Sequence, residues 1–450
     1  MRSDIPLRRT WTILATLPLV IPSYVSALTL IGALGPRGLL QEALEPIGVD
    51  RLPEIYGYAG ALLALTLSTY PFVFLLVAAA LRSVDPSTEE AAQGLGVAPH
   101  RVFLTVTLPA IRPAVAASAL LVVLYVLSDF GAVSLMQHRT LTTAVYLQYE
   151  SLLDRSSAAT LALVLIALAG CVIWLESRAR GARTTHRTSP GAGRRLRPTA
   201  LGRWRLPAIA FCGATVGLFL IVPTGVLIWW TIEGAGTAGT PAIPWATAFD
   251  TVTVSVVAAM ITALVIVPVA LLSWRYPSRL SRLLERLTFV PNAIPGIAIG
   301  LALIFFGIRA GSFLYQSLGL LVFAYTIRYM PQTLAATRSG LASISPNLLE
   351  ASQALGHGRI RTFARVVLPL ARPGVLAGAA IAFLSTMKEL PATLLLRPTG
   401  FDTLATHIWT NTSLGYYTAA APAALLLMVA ALPFSIALST RRAWELGASG

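Results

Sequence analysis

The chain has 450 residues, 56% hydrophobic and 12% charged, with a mean hydropathy of +0.72 and a formal net charge of +15. Soluble domains carry about 25% charged residues, so this composition excludes a soluble enzyme or a soluble nucleic-acid-binding fold and places the chain in a bilayer. The sequence predicts an all-α integral membrane protein of about ten spans, at residues 11–31, 58–81, 114–135, 158–175, 206–230, 252–274, 287–308, 313–329, 375–395 and 419–438. Each run is near the ~20 apolar residues that cross a ~30 Å hydrocarbon core.

The positive charge reports topology, because the arginines crowd two loops. Arg178, Arg180, Arg183, Arg187, Arg194, Arg195, Arg197, Arg203 and Arg205 lie in one, and Arg275, Arg279, Arg282 and Arg286 in the other. Both loops follow even-numbered spans, and arginine-rich loops stay cytoplasmic. The opposite loops hold Glu42, Glu45, Asp50 and Glu54, or Glu233 and Asp250. Both termini are therefore expected in the cytoplasm. Cys171 and Cys212 fall inside predicted spans, as small apolar fillers rather than a disulfide or metal pair. Residues 1–10 are short and charged and precede a run long enough to span, so no cleaved signal is read there.

Residues 86–115 match residues 346–375 at a constant offset of 260, with 14 identities in 30 columns. Leucine aligns with leucine by chance in a membrane protein, but here Glu90/Glu350, Gln93/Gln353, Arg101/Arg361, Phe103/Phe363, Arg112/Arg372 and three prolines fall in register. The chain is a duplicated unit. Its expected parts are a first lobe at 1–176, a basic cytoplasmic linker at 177–204 and a second lobe at 205–450. Further upstream, Pro18-x-x-x-Pro22 resembles Pro291-x-x-x-Pro295 at an offset of 273. Subtracting that offset from the spans at 206–230 and 252–274 places both counterparts before Met1. The first lobe then has four spans against six, which reads as an N-terminally shortened chain or a misplaced start codon, or else as a genuinely asymmetric four-plus-six arrangement.

The repeated segment reads EAAQGLGVAPHRVFLTVTLPAIRP at 90–113 and EASQALGHGRIRTFARVVLPLARP at 350–373. Each copy predicts a short helix with Pro86 or Pro346 in its first turn, where the missing amide hydrogen costs little. A turn at Gly96 or Gly356 follows, then a second amphipathic piece running to Leu108-Pro109 or Leu368-Pro369, where proline bends the path into the next span. The spacing is Glu-Ala-Ala, Gly six residues after the Glu, and an aliphatic-x-Leu-Pro ten residues after that Gly. It resembles the coupling loop of binding-protein-dependent ABC importer permeases. Val106 and Val366 stand where that family usually has isoleucine, and Ser352 replaces the second alanine. The resemblance implies that each elbow docks in a groove on a subunit of a cytoplasmic ATPase dimer. Small residues such as Ala354 allow close approach, and Glu90 and Glu350 pair with basic groups of the partner or cap their helices. The candidate coupling site is Glu90, Ala91, Ala92, Gly96, Leu108 and Pro109, with Glu350, Ala351, Gly356, Leu368 and Pro369.

The ATPase is expected to be a separate protein. A Gly-x4-Gly-Lys-Ser/Thr phosphate loop needs a lysine followed by a hydroxyl residue, and the single lysine, Lys388, is followed by Glu389. ATP and magnesium would then bind the partner, while this chain binds no cofactor, holds no metal site and has no catalytic residue. No external loop is long enough for a receptor domain, so a separate extracytoplasmic solute-binding protein is implied. Asp129 aligns with Glu389 at the external ends of equivalent spans. Carboxylates near membrane depth face a cavity or a partner, so Asp129, Lys388 and Glu389 are candidates for a gate or docking rim. Snorkelling to the interface is the plain alternative.

SDFGAVSL, TTAVY and KELPATLLLRPTGFDTLATHIWT resemble the fused permeases of the ferric-iron import class, with thiamine importers as near relatives. This resemblance covers nearly all of the chain. It implies a bacterial inner-membrane protein that receives its solute at the external loops around 137–154 and 397–417 and releases it into a cavity between the halves. Tyr146, Tyr149, Glu150, Asp154, Tyr416 and Tyr417 offer oxygen atoms there, although aromatic residues also form the ordinary interfacial belt. The five histidines are scattered and show no metal-ligand spacing. The rival class is a secondary transporter built from repeats with broken helices. The paired elbows weigh against it.

Overall fold

The computed structural model describes residues 4–36, 38–49, 51–180, 201–238, 243–342 and 344–445. Asp50 and most of the linker expected at 177–204, with Arg183, Arg187, Arg194, Arg195 and Arg197, lie outside the described residues. Among the described residues every regular element is a helix.

The first half holds α1 (Arg8–Thr16), α2 (Ser23–Leu34), α3 (Leu39–Leu44), α4 (Tyr58–Ser83), α5 (Pro86–Gly94), α6 (Pro99–Val102), α7 (Leu108–Ser128), α8 (Gly131–Leu135), α9 (Leu141–Glu150) and α10 (Arg155–Arg180). Next come α11 (Arg205–Val216), α12 (Val222–Ala238) and α13 (Trp245–Arg275). The second half then runs α14 (Arg279–Phe289), α15 (Gly296–Arg309), α16 (Leu318–Ala342), α17 (Pro346–Ala354), α18 (Arg359–Thr362), α19 (Leu368–Met387), α20 (Pro391–Leu396), α21 (Leu404–Ser413) and α22 (Tyr417–Glu445). The duplication is visible element by element: α1, α2, α4, α5 and α7 reappear as α14, α15, α16, α17 and α19, and the helices after them follow in the same order.

Seven described helices are long and apolar enough to cross a bilayer, or up to nine if each of two bent pairs is one span. Three of the ten expected spans are therefore corrected. Those at 11–31 and 287–308 are each broken, the axes turning by 99° and 109°. The cause is local: a residue before proline is pushed out of the helical region. Ile21, before Pro22, has ψ 117°, and Ile294, before Pro295, has ψ 120°. The span expected at 313–329 is instead α16, which starts at Leu318, runs to Ala342 and carries Arg328 and Arg338. The expected spans at 114–135 and 375–395 also stop early, at Ser128 and Met387, immediately before Asp129 and Lys388-Glu389.

The bend expected at Leu108-Pro109 and Leu368-Pro369 takes another form. Proline donates no amide hydrogen and its ring crowds the carbonyl four residues back, so the preceding turn widens. Phe103–Thr107 and Phe363–Val367 are π turns, and the helix runs on through them, unbroken over Pro99–Ser128 and Ile360–Met387.

Contacts group the chain into two compact units that cut across the sequence repeat. One comprises Met1–Thr140, Ala167–Pro241 and Met428–Gly450. In it α4 packs on α7, and α12 lies against α2, where a Cβ added to Gly32 would come within 2.3 Å of the Trp230 ring. The other comprises Leu141–Ile166 and Ala242–Leu427. Here α13, α16 and α19 pack on one another around Ile266, Ala270, Leu334, Leu341 and Ala371. Small residues let α16 and α19 touch backbone to backbone: a Cβ on Gly340 would sit 2.8 Å from the Gly374 Cα.

Candidate coupling loops and buried carboxylates

Each elbow is built from capping chemistry. Asp85 opens α5 by accepting from the Ser87 amide at 3.0 Å, with Pro86 in the first turn, and Ser345 accepts from the Asn347 amide at 3.3 Å ahead of α17. That amide bond holds the Asp85 carboxyl below its usual range, so it stays charged beside the positive end of α5. Both helices end in the same way. Gly96 and Gly356 adopt φ of +80° and +78°, which glycine enters without strain. Their amides bond to Gln93 O and Gln353 O at 2.9 Å, while Val97 and His357 bond to Ala92 O and Ser352 O at 3.2 Å. This double closure over a left-handed glycine is a Schellman motif.

The cap leaves the predicted coupling residues outward. Glu90, Ala91 and Gly96, with Glu350, Ala351 and Gly356, are exposed; Ala92 is half-buried; Pro109 and Pro369 are exposed, with Leu108 exposed and Leu368 half-buried at the start of their spans. Leu95 and Leu355, which the motif itself does not single out, stand at each tip 84% and 78% exposed. The signal for them was present, since both are identical across the repeat. An exposed leucine at the same turn in both halves gives each elbow an apolar knob.

Ser352, the departure from the alanine pattern, has a structural reason. Its hydroxyl is buried and shares a hydrogen bond with Thr362 Oγ1 at 3.0 Å, and it lies 3.3 Å from His357 Nδ1. The corresponding first-half residues are Ala92 and Val102, so an apolar pair is exchanged for a hydroxyl pair. The first elbow is tied down instead by Thr107, whose hydroxyl donates to Glu89 at 2.6 Å.

Asp129 and Glu389 lie inside their units, 8% and 4% exposed, and cap short helices. Asp129 accepts from the amides of Ala132 and Val133 at 3.0 and 3.3 Å and from the Ser23 hydroxyl. Glu389 accepts from the amides of Ala392 and Thr393 at 3.1 and 3.0 Å and from the Thr393 hydroxyl at 2.8 Å. Lys388, half-buried, ends α19. Replacing Asp129 with alanine is expected to cost about 1–2 kcal/mol, since it leaves three donors short of an acceptor. Asp129→Asn keeps one acceptor oxygen and should cost less, as thermal unfolding of the purified chain in detergent would measure.

The second half adds a cation beside its carboxylate. Arg328, on α16, places Nε 3.8 Å from Glu389 Oε1 and donates to Ile294 O at 3.3 Å, beside the break at Pro295. Its first-half counterpart is Ser68, which bonds to Ser26 at 3.3 Å. Room for the guanidinium comes from Gly296, the counterpart of Ser23: a Cβ there would lie 2.9 Å from both Arg328 Cζ and Glu389 Oε1. An arginine within a predicted span was the available clue.

The two elbows, alike in their N-terminal capping and their left-handed glycine turn, belong to a duplicated membrane scaffold, and the family described as binding-protein-dependent transport system inner membrane component matches residues 1–176 and 266–443. The chain belongs to this family. It is thus a multi-pass membrane component of a binding-protein-dependent transport system. Among its relatives, the Fe(3+)-transport system permease protein FbpB 2 of Haemophilus influenzae is 32% identical over 418 residues, covering 92% of this chain and 79% of that protein. The ferric transport system permease protein FbpB of Actinobacillus pleuropneumoniae is 26% identical over 402 residues, and the chain spans 58% of its length. The molybdenum transport system permease protein ModB of Escherichia coli is 32% identical over 160 residues, covering 34% of this chain. The family members likened here are permeases, and the two ferric relatives match along most of the chain.

Proposed function

We propose that this chain is the pore subunit of an ATP-driven importer whose solute is ferric iron, presented by a separate extracytoplasmic binding protein. The observation that carries the reading is the pair of matched elbows, each an exposed helix closed by a left-handed glycine. Such a helix and its leucine tip suit a groove on another protein, and two copies suit a dimer of ATPase subunits. ATP and magnesium bind that dimer, and its closure moves the two elbows. The choice of iron rests on the ferric permeases similar over most of the chain, whereas the molybdenum permeases match about a third of it. The arginine-rich loops support an orientation in which the elbows and both termini face the cytoplasm from a bacterial inner membrane. Iron is cargo in this reading, delivered by the binding protein and passed on through the chain.

The test is co-reconstitution in proteoliposomes with the ATPase and binding protein encoded beside the gene, measuring ATP hydrolysis and radiolabelled iron uptake. Stimulation by the ferric-loaded binding protein supports the proposal. Stimulation by thiamine or molybdate instead keeps the importer and replaces the solute, and uptake driven by an ion gradient without ATPase overturns the importer reading.

A further inference from the structure

The helix α14 carries three chemically distinct faces. Its N-terminus is fixed by a capping box in which Ser278 accepts from the Ser281 amide at 3.1 Å and the Ser281 hydroxyl accepts from the Ser278 amide at 2.7 Å. At about 100° per residue, Ser281, Leu284, Glu285 and Thr288 fall on one side. Ser281 and Thr288 are buried and Leu284 and Glu285 half-buried, so this side faces the protein. Glu285 anchors it by an ion pair with Arg338, near the C-terminal end of α16. α14 therefore lies at the same end of α16 as the α17 elbow.

The other two faces have no covering element among the described residues. Leu280, Leu283 and Leu287 form a stripe that is 61%, 52% and 53% exposed, and Val290 continues it at 51%. Arg279, Arg282 and Arg286, all exposed, form a second stripe about 90° further round. Arg275, also exposed, adds a fourth guanidinium at the end of α13. The one acidic residue on the helix, Glu285, is turned inward and paired. An apolar stripe at right angles to a cationic stripe is the arrangement of a helix lying in a membrane interface, with leucines among the acyl chains and arginines level with the phosphates.

We propose that α14 is a docking surface for anionic phospholipid, which seats this corner of the second half, next to the elbow, against the leaflet. Charge complementarity selects the occupant. A zwitterionic lipid would satisfy the leucines but leave the arginines without net counter-charge, whereas a phosphatidylglycerol headgroup meets both. Arginine suits this role because its planar fork bonds two phosphate oxygens at once. The inference does not depend on which solute is carried.

The experiment uses the full chain in nanodiscs, with Cys171 and Cys212 replaced by alanine and Leu283→Cys carrying an environment-sensitive fluorophore. Quenching by brominated phosphatidylglycerol is compared with quenching by brominated phosphatidylcholine at equal mole fraction. A preference of at least about fivefold for the anionic lipid is expected, the factor for one fully engaged arginine, and it should weaken as salt is raised. Changing Arg279, Arg282 and Arg286 together to glutamine should bring the ratio to about one, and changing them to lysine should keep most of it, which controls for folding. A fluorophore quenched by neither lipid overturns the proposal by placing the leucine stripe against protein. Equal quenching in the unaltered arginine chain, or a preference that survives the glutamine changes, overturns it as well.

Discussion

Valine at Gly96 or Gly356 is expected to depress binding-protein-stimulated ATP hydrolysis by about five- to thirtyfold at each elbow, with the chain still inserted at its normal level. Both glycines sit at φ near +80°, and a Cβ added at either would meet nothing within 4 Å, so a steric clash plays no part. What remains is backbone strain. A left-handed conformation costs an ordinary residue about 1–2 kcal/mol, and a β-branched one more. That energy is met by opening the closing turn, which releases the bonds to Gln93 and Ala92, or to Gln353 and Ser352. The leucine tip then loses the position that the proposed docking requires, and about 1–2 kcal/mol corresponds to a factor of about 5–30 in the docking-competent population. Co-purification of the ATPase and its stimulated rate measure the effect. A valine chain that binds and stimulates the ATPase normally would remove the elbows from the coupling mechanism.

Arg328→Ala is expected to destabilise the chain by about 1–3 kcal/mol, because the buried Glu389 carboxyl group loses its half-buried cationic neighbour. Glu389 has a 1% exposed side chain and keeps its two amide donors, but it loses the guanidinium, and Ile294 O loses a donor beside the proline break. Arg328→Lys should recover only part, since an ammonium cannot reproduce the planar donor set that reaches both groups. Gly296→Ala tests the same place from the other side, because its Cβ would collide with both members of the pair. Thermal unfolding in detergent checks all three. An Arg328→Ala chain as stable as the unaltered protein would show that the pair contributes nothing net.

Much of this protein is legible in its sequence because the signals are local or repeated. Apolar length identifies the spans, the register of Glu90 with Glu350 and Gln93 with Gln353 identifies the duplication, and Pro18-x-x-x-Pro22 with Pro291-x-x-x-Pro295 marks the two places where a helix breaks. The elbow, too, is written in residues whose conformational preferences are their own: proline at the first turn and glycine at the left-handed close. Sequence fails as a guide where hydropathy averages over a feature only a few residues long. Two expected spans run straight through their breaks, and the expected helices at Asp129 and Glu389 continue past carboxylates that stop them.

What the sequence determined by itself, then, is the membrane, the repeat and the two matched elbows, since each follows from composition, spacing or intrinsic backbone preference. Only the tertiary structure decided that Asp129 and Glu389 are turned inward as caps, that Arg328 enters the space left by Gly296, and that α14 keeps its leucines and arginines outward while Glu285 is held within. Burial and pairing depend on which distant residues share a position in space, as Arg328 and Glu389 do across 61 positions of chain, and no local pattern carries that information.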